Sequence, residues 1–337
     1  MRDVHIEKPF VHRQASHCES GVASNLLSHH GLNISEAMAF GIGEGLFFGY
    51  LPFIRMNKLP LTTFRCAAGG IIKSVTRRLG VTLQFKTFRN EQKAMATLDA
   101  KLAQGIAVGC RTGAFWLPYF PEAFRFHFNA HNLVVYGKRG DDYLISDPVF
   151  PEPVTCSSSR LRKARFAKGV LAPRGQMYYI DRMPTDIDLI QSIQKAIQGV
   201  GRNMLKSRFP LIGIAGIRFL AKRLERWPER LGPERAQLHL GQLIRMQEEI
   251  GTGGAGFRYI YAAFLQEAAD VMKSPRLADL SSQLTGVGDR WRYSALLASR
   301  ICKGRERDGE SYAAIAAVLR ECADREAQIY HELMETV

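Results

Sequence analysis

No C-x-x-C pair and no metal-finger spacing occurs among the six cysteines of this 337-residue chain. Cys18, Cys66, Cys110, Cys156, Cys302 and Cys322 stand apart, which excludes zinc fingers, zinc ribbons and dithiol redox motifs and fits a reducing compartment. Long apolar runs are missing too. No stretch approaches the roughly 20 residues that span a bilayer, and the opening Met-Arg-Asp-Val-His-Ile-Glu-Lys-Pro-Phe lacks a signal-peptide core. A cytoplasmic protein is expected. Acidic residues are the scarcer charge, 32 against 46 Lys and Arg, for a formal net charge of +14. Such a surplus points to an acidic partner. Nucleic acid is the first to consider, but no helix-turn-helix, zinc-finger or aromatic RNA-binding pattern is present. An acidic carrier protein or an acidic membrane surface accounts for the charge as well.

What is present is a globular composition, 46% hydrophobic and 23% charged, in a chain long enough for two domains of ordinary size. Within it, His17-Cys18-Glu19-Ser20-Gly21 runs directly into an apolar-periodic segment, residues 22–30, with Gly31 as the stop. A cysteine in the first turn of a helix sits among unpaired N–H groups and the positive end of the helix dipole, which favour its thiolate. It is a candidate nucleophile. A buried structural cysteine fits this segment equally well, so a partner must decide.

The partner lies in residues 131–148, where two runs rich in Val, Ile, Leu and Tyr flank Arg139-Gly140-Asp141 as a β-hairpin would. A reversal there sets His131 opposite or nearly opposite Asp147. A carboxylate beside an imidazole fixes its tautomer and supports its cation. A hairpin whose His and Asp merely pair with each other is the alternative. His127, upstream among aromatics, is a second candidate base without an obvious carboxylate.

Cysteine at a helix start, histidine opening a strand and aspartate closing the next is the order of parts in papain-like cysteine enzymes. The stretch from His17-Cys18 through Gly31-Leu32-Asn33-Ile34-Ser35-Glu36 to Gly41-Ile42-Gly43-Glu44-Gly45-Leu46 resembles the N-terminal domain of butirosin biosynthesis protein H, and the His131…Asp147-Pro148 hairpin fits the same family. The likeness implies a papain-like α+β fold used in specialised metabolism for acyl transfer from a carrier-protein thioester to an amine. Cys18 would then be nucleophile, His131 base and acid, and Asp147 the orienting residue. Papain-like peptidases carry an oxyanion-hole Gln several residues before the nucleophile. Gln14 stands near that place, though not at the usual distance. No resident cofactor is implied; the acyl group would arrive on the phosphopantetheine arm of an acidic acyl carrier protein and leave on a small amine or amino acid. A cysteine amidase or peptidase using the same residues, and a non-catalytic carrier-protein or lipid-binding module, are the alternatives.

Elsewhere, Ser35 reads as a helix N-cap, and the three alternating glycines 41, 43 and 45 suit close backbone packing rather than a phosphate loop. Residues 81–88, 105–111 and 176–181 read as strands and 69–79 and 91–104 as helices, so helices precede strands in segregated α+β order. Residues 112–129 are crowded with Phe115, Trp116, Tyr119, Phe120, Phe124, Phe126 and Phe128, and 151–174 are polar and basic. After Pro184 strand patterns give way to helical ones, over 187–200, 209–227, 233–250, 257–273, 276–284, 290–302 and 312–336. The expected domains are therefore 1–184, papain-like and catalytic, and 185–337, all-α. The glycine-rich stretch 248–259 could offer Thr252, Gly253, Gly254 and Arg258 to an anion or carboxylate, or could be turn packing alone. Together with Tyr261–Ala269 it resembles the helical domain of unknown function that commonly follows the butirosin-type domain.

Overall fold

The computed structural model describes residues 9–56, 58–122, 125–206 and 209–337. In chain order they form α1 (Cys18–His29), α2 (Glu36–Ile42), the hairpin β1 (Leu46–Met56) and β2 (Leu59–Arg65), α3 (Gly70–Arg78), β3 (Thr82–Lys86), α4 (Glu91–Leu102), β4 (Val108–Thr112), β5 (His131–Arg139), β6 (Asp142–Ser146), β7 (Val154–Ser157), α5 (Ser158–Arg165) and β8 (Met177–Arg182). Helices follow: α6 (Leu189–Leu205), α7 (Gly213–Leu224), α8 (Trp227–Leu231), α9 (Pro233–Ile244), α10 (Arg258–Met272), α11 (Pro275–Cys302) and α12 (Tyr312–Thr336).

The first compact unit runs to Ala39 and resumes over Ile71–Ile187. Its six-stranded sheet has the order β3-β8-β4-β5-β6-β7, with every neighbouring pair antiparallel. Side chains alternate across a strand. Val108, Cys110, Leu133, Val135, Met177 and Tyr179 therefore share one face with Leu98 of α4 and Leu161 of α5 in a core cluster. Gly109, Asn132, Val134 and Tyr178 turn to the other face, and α1 packs on β5 and β8. A helix headed by Cys18 against an antiparallel sheet is the papain-like α+β arrangement that the resemblance implied.

The β5–β6 hairpin forms where expected, but its register is not flush. Arg139 pairs with Asp142, Lys138 with Tyr143 and Gly137 with Leu144; Tyr136 is then bulged out, and Val135 pairs with Ile145 and Val134 with Ser146. Continued by one residue, that register sets Asp147 against Leu133, on the face of His131 and diagonal to it. Without the bulge Asp147 would line up with Val134, on the opposite face. The expected near-direct opposition of His131 and Asp147 is thus corrected to a diagonal, made possible by one extra residue.

The second unit comprises Phe40–Gly70 and Asp188–Val337. The segment 40–70 accordingly groups with the C-terminal helices rather than with the sheet that flanks it in sequence, unlike the single cut after 184. The reason is aromatic: Phe48 and Phe64 of the hairpin pack on each other and on the fully buried Trp291 of α11, and the Tyr50 N–H donates to the Leu211 carbonyl at 2.9 Å. This unit is therefore helical with one hairpin. Gly41 and Gly45 serve close packing, since a Cβ at either would lie 2.0 Å from the Phe264 ring or 2.4 Å from that of Phe40. Residues 276–284 and 290–302 are one 28-residue helix, continuous through Gly286 and Gly288. The basic segment after Pro151 holds β7 and α5, whose Arg165 is fully buried, donating to the carbonyls of Ala94 and Gly175. Phe124 lies outside the described residues.

Candidate active site

Cys18 is the first residue of α1. The loop before it is held by Glu36, whose carboxylate accepts from the N–H groups of Ser16 (2.8 Å) and His17 (2.7 Å), while the His17 ring caps α1 by accepting from the Ser20 N–H. Glu36 therefore reaches back to the nucleophile loop rather than simply facing its own helix dipole; burial raises its pKa, against those hydrogen bonds. Glu19, which is fully buried, accepts from the N–H groups of Ile71 and Ile72 at the start of α3. Both ends of the first turn are thus anchored.

His131 opens β5, and its Nε2 donates to Asp147 Oδ2 at 2.7 Å. With Nε2 so committed, Nδ1 is the ring nitrogen left for Cys18. Both side chains are almost fully covered, Cys18 at 7% and His131 at 5% exposure. Burial works against the imidazolium, but the Asp147 carboxylate and the neighbouring Cys18 outweigh it and push His131 up to about 10. The ring is therefore a cation over the physiological range, poised beside a thiol. Asp147 is held in turn: Oδ2 also accepts from the Tyr119 hydroxyl (2.9 Å), and Oδ1 from the Val149 N–H (3.3 Å). Burial and the adjacent carboxylate keep the Tyr119 phenol protonated, far above its ordinary range. Phe120 closes edge-on over His131 with centroids 5.2 Å apart. A thiol, an oriented imidazole and a buried carboxylate in this order are the working parts of a cysteine-dependent enzyme.

Three of these contacts have no signal in the sequence. Tyr119 and Phe120 belong to an aromatic-rich loop in which no ring is distinguished by spacing. Asn132 follows His131 and is 3% exposed; its Nδ2 lies 3.9 Å from Cys18 Sγ. Only the fold selects it.

The remaining sequence candidates fare differently. Gln14 is exposed, whereas the thiol is buried. His127 is also exposed and stacks on Phe115 at 4.2 Å. The glycine-rich stretch is corrected to an internal structural role. Arg258 is fully buried, with its Nε and one terminal nitrogen each donating to Glu326 at 3.0 Å and the other donating to the Gly256 carbonyl. Its charge is therefore spent. The Thr252 hydroxyl donates to the Gln247 carbonyl and accepts from the Gly254 N–H, while the Ala255 N–H goes to Glu248. Gly253 and Gly254, at φ +65° and +90°, shape that turn. Glu248 accordingly holds the end of that turn. Among the described residues no cluster of His, Cys, Asp and Glu could hold a metal ion, and no helix is long and apolar enough to cross a membrane.

Against this geometry the similarities are specific. The family model for butirosin biosynthesis protein H, N-terminal, matches residues 17–148, a span that begins one residue before Cys18 and ends one after Asp147. The model for the domain of unknown function DUF4872 matches residues 159–333, just over half of the chain. Among solved structures, a C39-like peptidase from Bacillus anthracis is similar at 14% identity and a TM-score of 0.37, over 54% of this chain and 98% of that one. No curated protein matches. The chain therefore belongs to the DUF4872 family, and the region that precedes this domain in the sequence is similar to the butirosin biosynthesis protein H N-terminal domain.

Proposed function

We propose that this protein is an acyltransferase that takes an acyl group from the thioester of an acyl carrier protein onto Cys18 and passes it to a small amine or amino acid in specialised metabolism. The observation that carries the reading is the Cys18–His131–Asp147 arrangement, with Asp147 2.7 Å from the ring nitrogen that does not serve the thiol. Transfer, rather than hydrolysis, draws its support from the butirosin biosynthesis family of the matched domain.

In the forward half-reaction the Cys18 thiolate attacks the thioester carbonyl carbon. A C–S bond forms, the carbonyl electron pair moves to oxygen, and the Cys18 N–H at the start of α1 stabilises that charge. Collapse expels the thiolate of the phosphopantetheine arm, which takes its proton from the His131 imidazolium. The neutral imidazole then accepts a proton from the incoming amine as it attacks the acyl-enzyme, and Cys18 leaves as thiolate. Asp147 and Tyr119 hold the ring through both halves. The exposed Arg160, Arg162 and Lys163 of α5, with Lys168 just beyond, offer positive charge to an acidic carrier protein.

The test is incubation with acylated carrier proteins and a panel of small amines, followed by intact and peptide mass spectrometry. An acyl adduct on Cys18, absent in Cys18→Ala and decaying faster when amine is added, is the expected result. Absence of any adduct from a protein whose Cys18 is readily alkylated overturns the reading, and decay indifferent to saturating amine assigns a hydrolase instead.

A further inference from the structure

We propose that Asn132 supplies the side-chain arm of the oxyanion hole, the place to which the resemblance assigned Gln14. This inference rests on Cys18 acting as an acyl-accepting nucleophile.

Three distances carry it. The Asn132 Nδ2 lies 3.9 Å from Cys18 Sγ and donates to the Ala130 carbonyl at 3.0 Å; Oδ1 accepts from the Tyr178 hydroxyl at 2.9 Å. The Ala130 carbonyl can only accept, so it fixes which end of the amide is NH2. One hydrogen of that group is then spent on Ala130, and the other points towards the sulfur. Tyr178, fully buried and stacked on Phe85, keeps its proton, because burial and nearby acidic groups hold its phenol far above the ordinary range. It is a permanent donor, and it locks the Asn132 amide in place. Gln14 offers no such geometry, being exposed before the helix.

The chemistry needs this donor at one moment. When Sγ bonds to a carbonyl carbon, the carbonyl π pair becomes an alkoxide one bond from that carbon, within the sphere of groups already facing the sulfur. A preorganised amide N–H there stabilises charge that is absent before attack and gone after the leaving group departs. An alkylation at the same sulfur develops no oxyanion, since the halide simply departs with the electron pair of its own bond.

That difference defines the experiment. Single-turnover acetylation of Cys18 by p-nitrophenyl acetate, read by nitrophenolate release, is compared with alkylation by iodoacetamide for wild type, Asn132→Ala, Asn132→Asp and Tyr178→Phe. Asn132→Ala is expected to slow acetylation about 10²- to 10³-fold, the range for loss of one oxyanion donor, and to leave alkylation within a few-fold. Asn132→Asp, of nearly equal volume but with an acceptor in place of the donor, is expected to be at least as slow in acetylation. Tyr178→Phe, which keeps the donor but loosens it, should fall between. Equal slowing of both reactions would overturn the proposal in favour of thiolate positioning, and unchanged acetylation in Asn132→Ala would overturn it outright. Should wild type itself release nitrophenolate no faster than Cys18→Ala, the acyl-enzyme reading fails, an outcome distinct from these.

Discussion

His131 keeps its positive charge at a depth where burial alone would remove it, because a carboxylate 2.7 Å away and the neighbouring Cys18 together stabilise the imidazolium more than desolvation penalises it. The sign of a mutational test follows. A histidine raised to about 10 stays cationic until the pH passes that value, so the alkaline limit of the imidazolium lies there. In Asp147→Asn burial acts unopposed by the carboxylate, and the alkaline limb of the pH profile for acyl transfer, where the imidazolium proton is needed by the leaving group, should move down by more than one pH unit. Acyl transfer should fall about 10²- to 10⁴-fold at neutral pH, the usual range for a misdirected general acid–base. An unmoved limb would show that Asp147 does not set the charge on the ring. At this scale the sequence named Cys18, His131 and Asp147, each of which sits at a recognisable start or end of an element. Asn132, Tyr119 and Tyr178 have no such position, and their roles depend on contacts between residues far apart in sequence.

Between elements, α1 is seated against the segment that ends with the carboxylate. Gly21 lies one turn into α1, where an added Cβ would stand 2.6 Å from side-chain atoms of both Ala15 and Pro148, and the Ala15 N–H donates to the Pro148 carbonyl at 2.6 Å. Pro148 directly follows Asp147, so this glycine lets α1 approach the His131 partner. Gly21→Ala should push the two apart, costing about 1–3 kcal/mol as overpacking does and slowing Cys18 alkylation. Thermal melting and the alkylation rate measure both, and a variant unchanged in each would show that the approach is not limiting. The Tyr136 bulge works at the same scale. A hairpin of this composition is legible from its turn and its alternation, but a one-residue bulge is not, and it alone decides whether Asp147 shares a face with His131.

Across the whole molecule, the surplus of +14 is the property most open to test. Part of it is not surface charge: Arg165 is fully buried and held by carbonyl acceptors, whereas buried Arg258 is cancelled by the buried carboxylate of Glu326. The rest includes the exposed cations of α5, and association with an acidic carrier protein should weaken steeply as ionic strength rises, because exposed charges are screened within about 10 Å at 0.1 M salt. Binding measured across a salt series checks this, and an affinity indifferent to salt would remove the electrostatic basis of that partnership.

By itself the sequence placed a cysteine, a histidine and an aspartate at the starts and ends of local elements, since caps, turns and apolar periodicity act over a few residues and are written there directly. It also determined the change from a mixed α+β region to a helical one near residue 185. The tertiary structure decided what depends on distant residues. Segment 40–70 joins the C-terminal helices because Phe48 and Phe64 find Trp291, more than 220 residues further on. Arg258 becomes a structural cation because Glu326 buries its carboxylate against it. Asn132 reaches Cys18 because a strand and a helix start meet, and burial there turns an ordinary amide into a fixed donor.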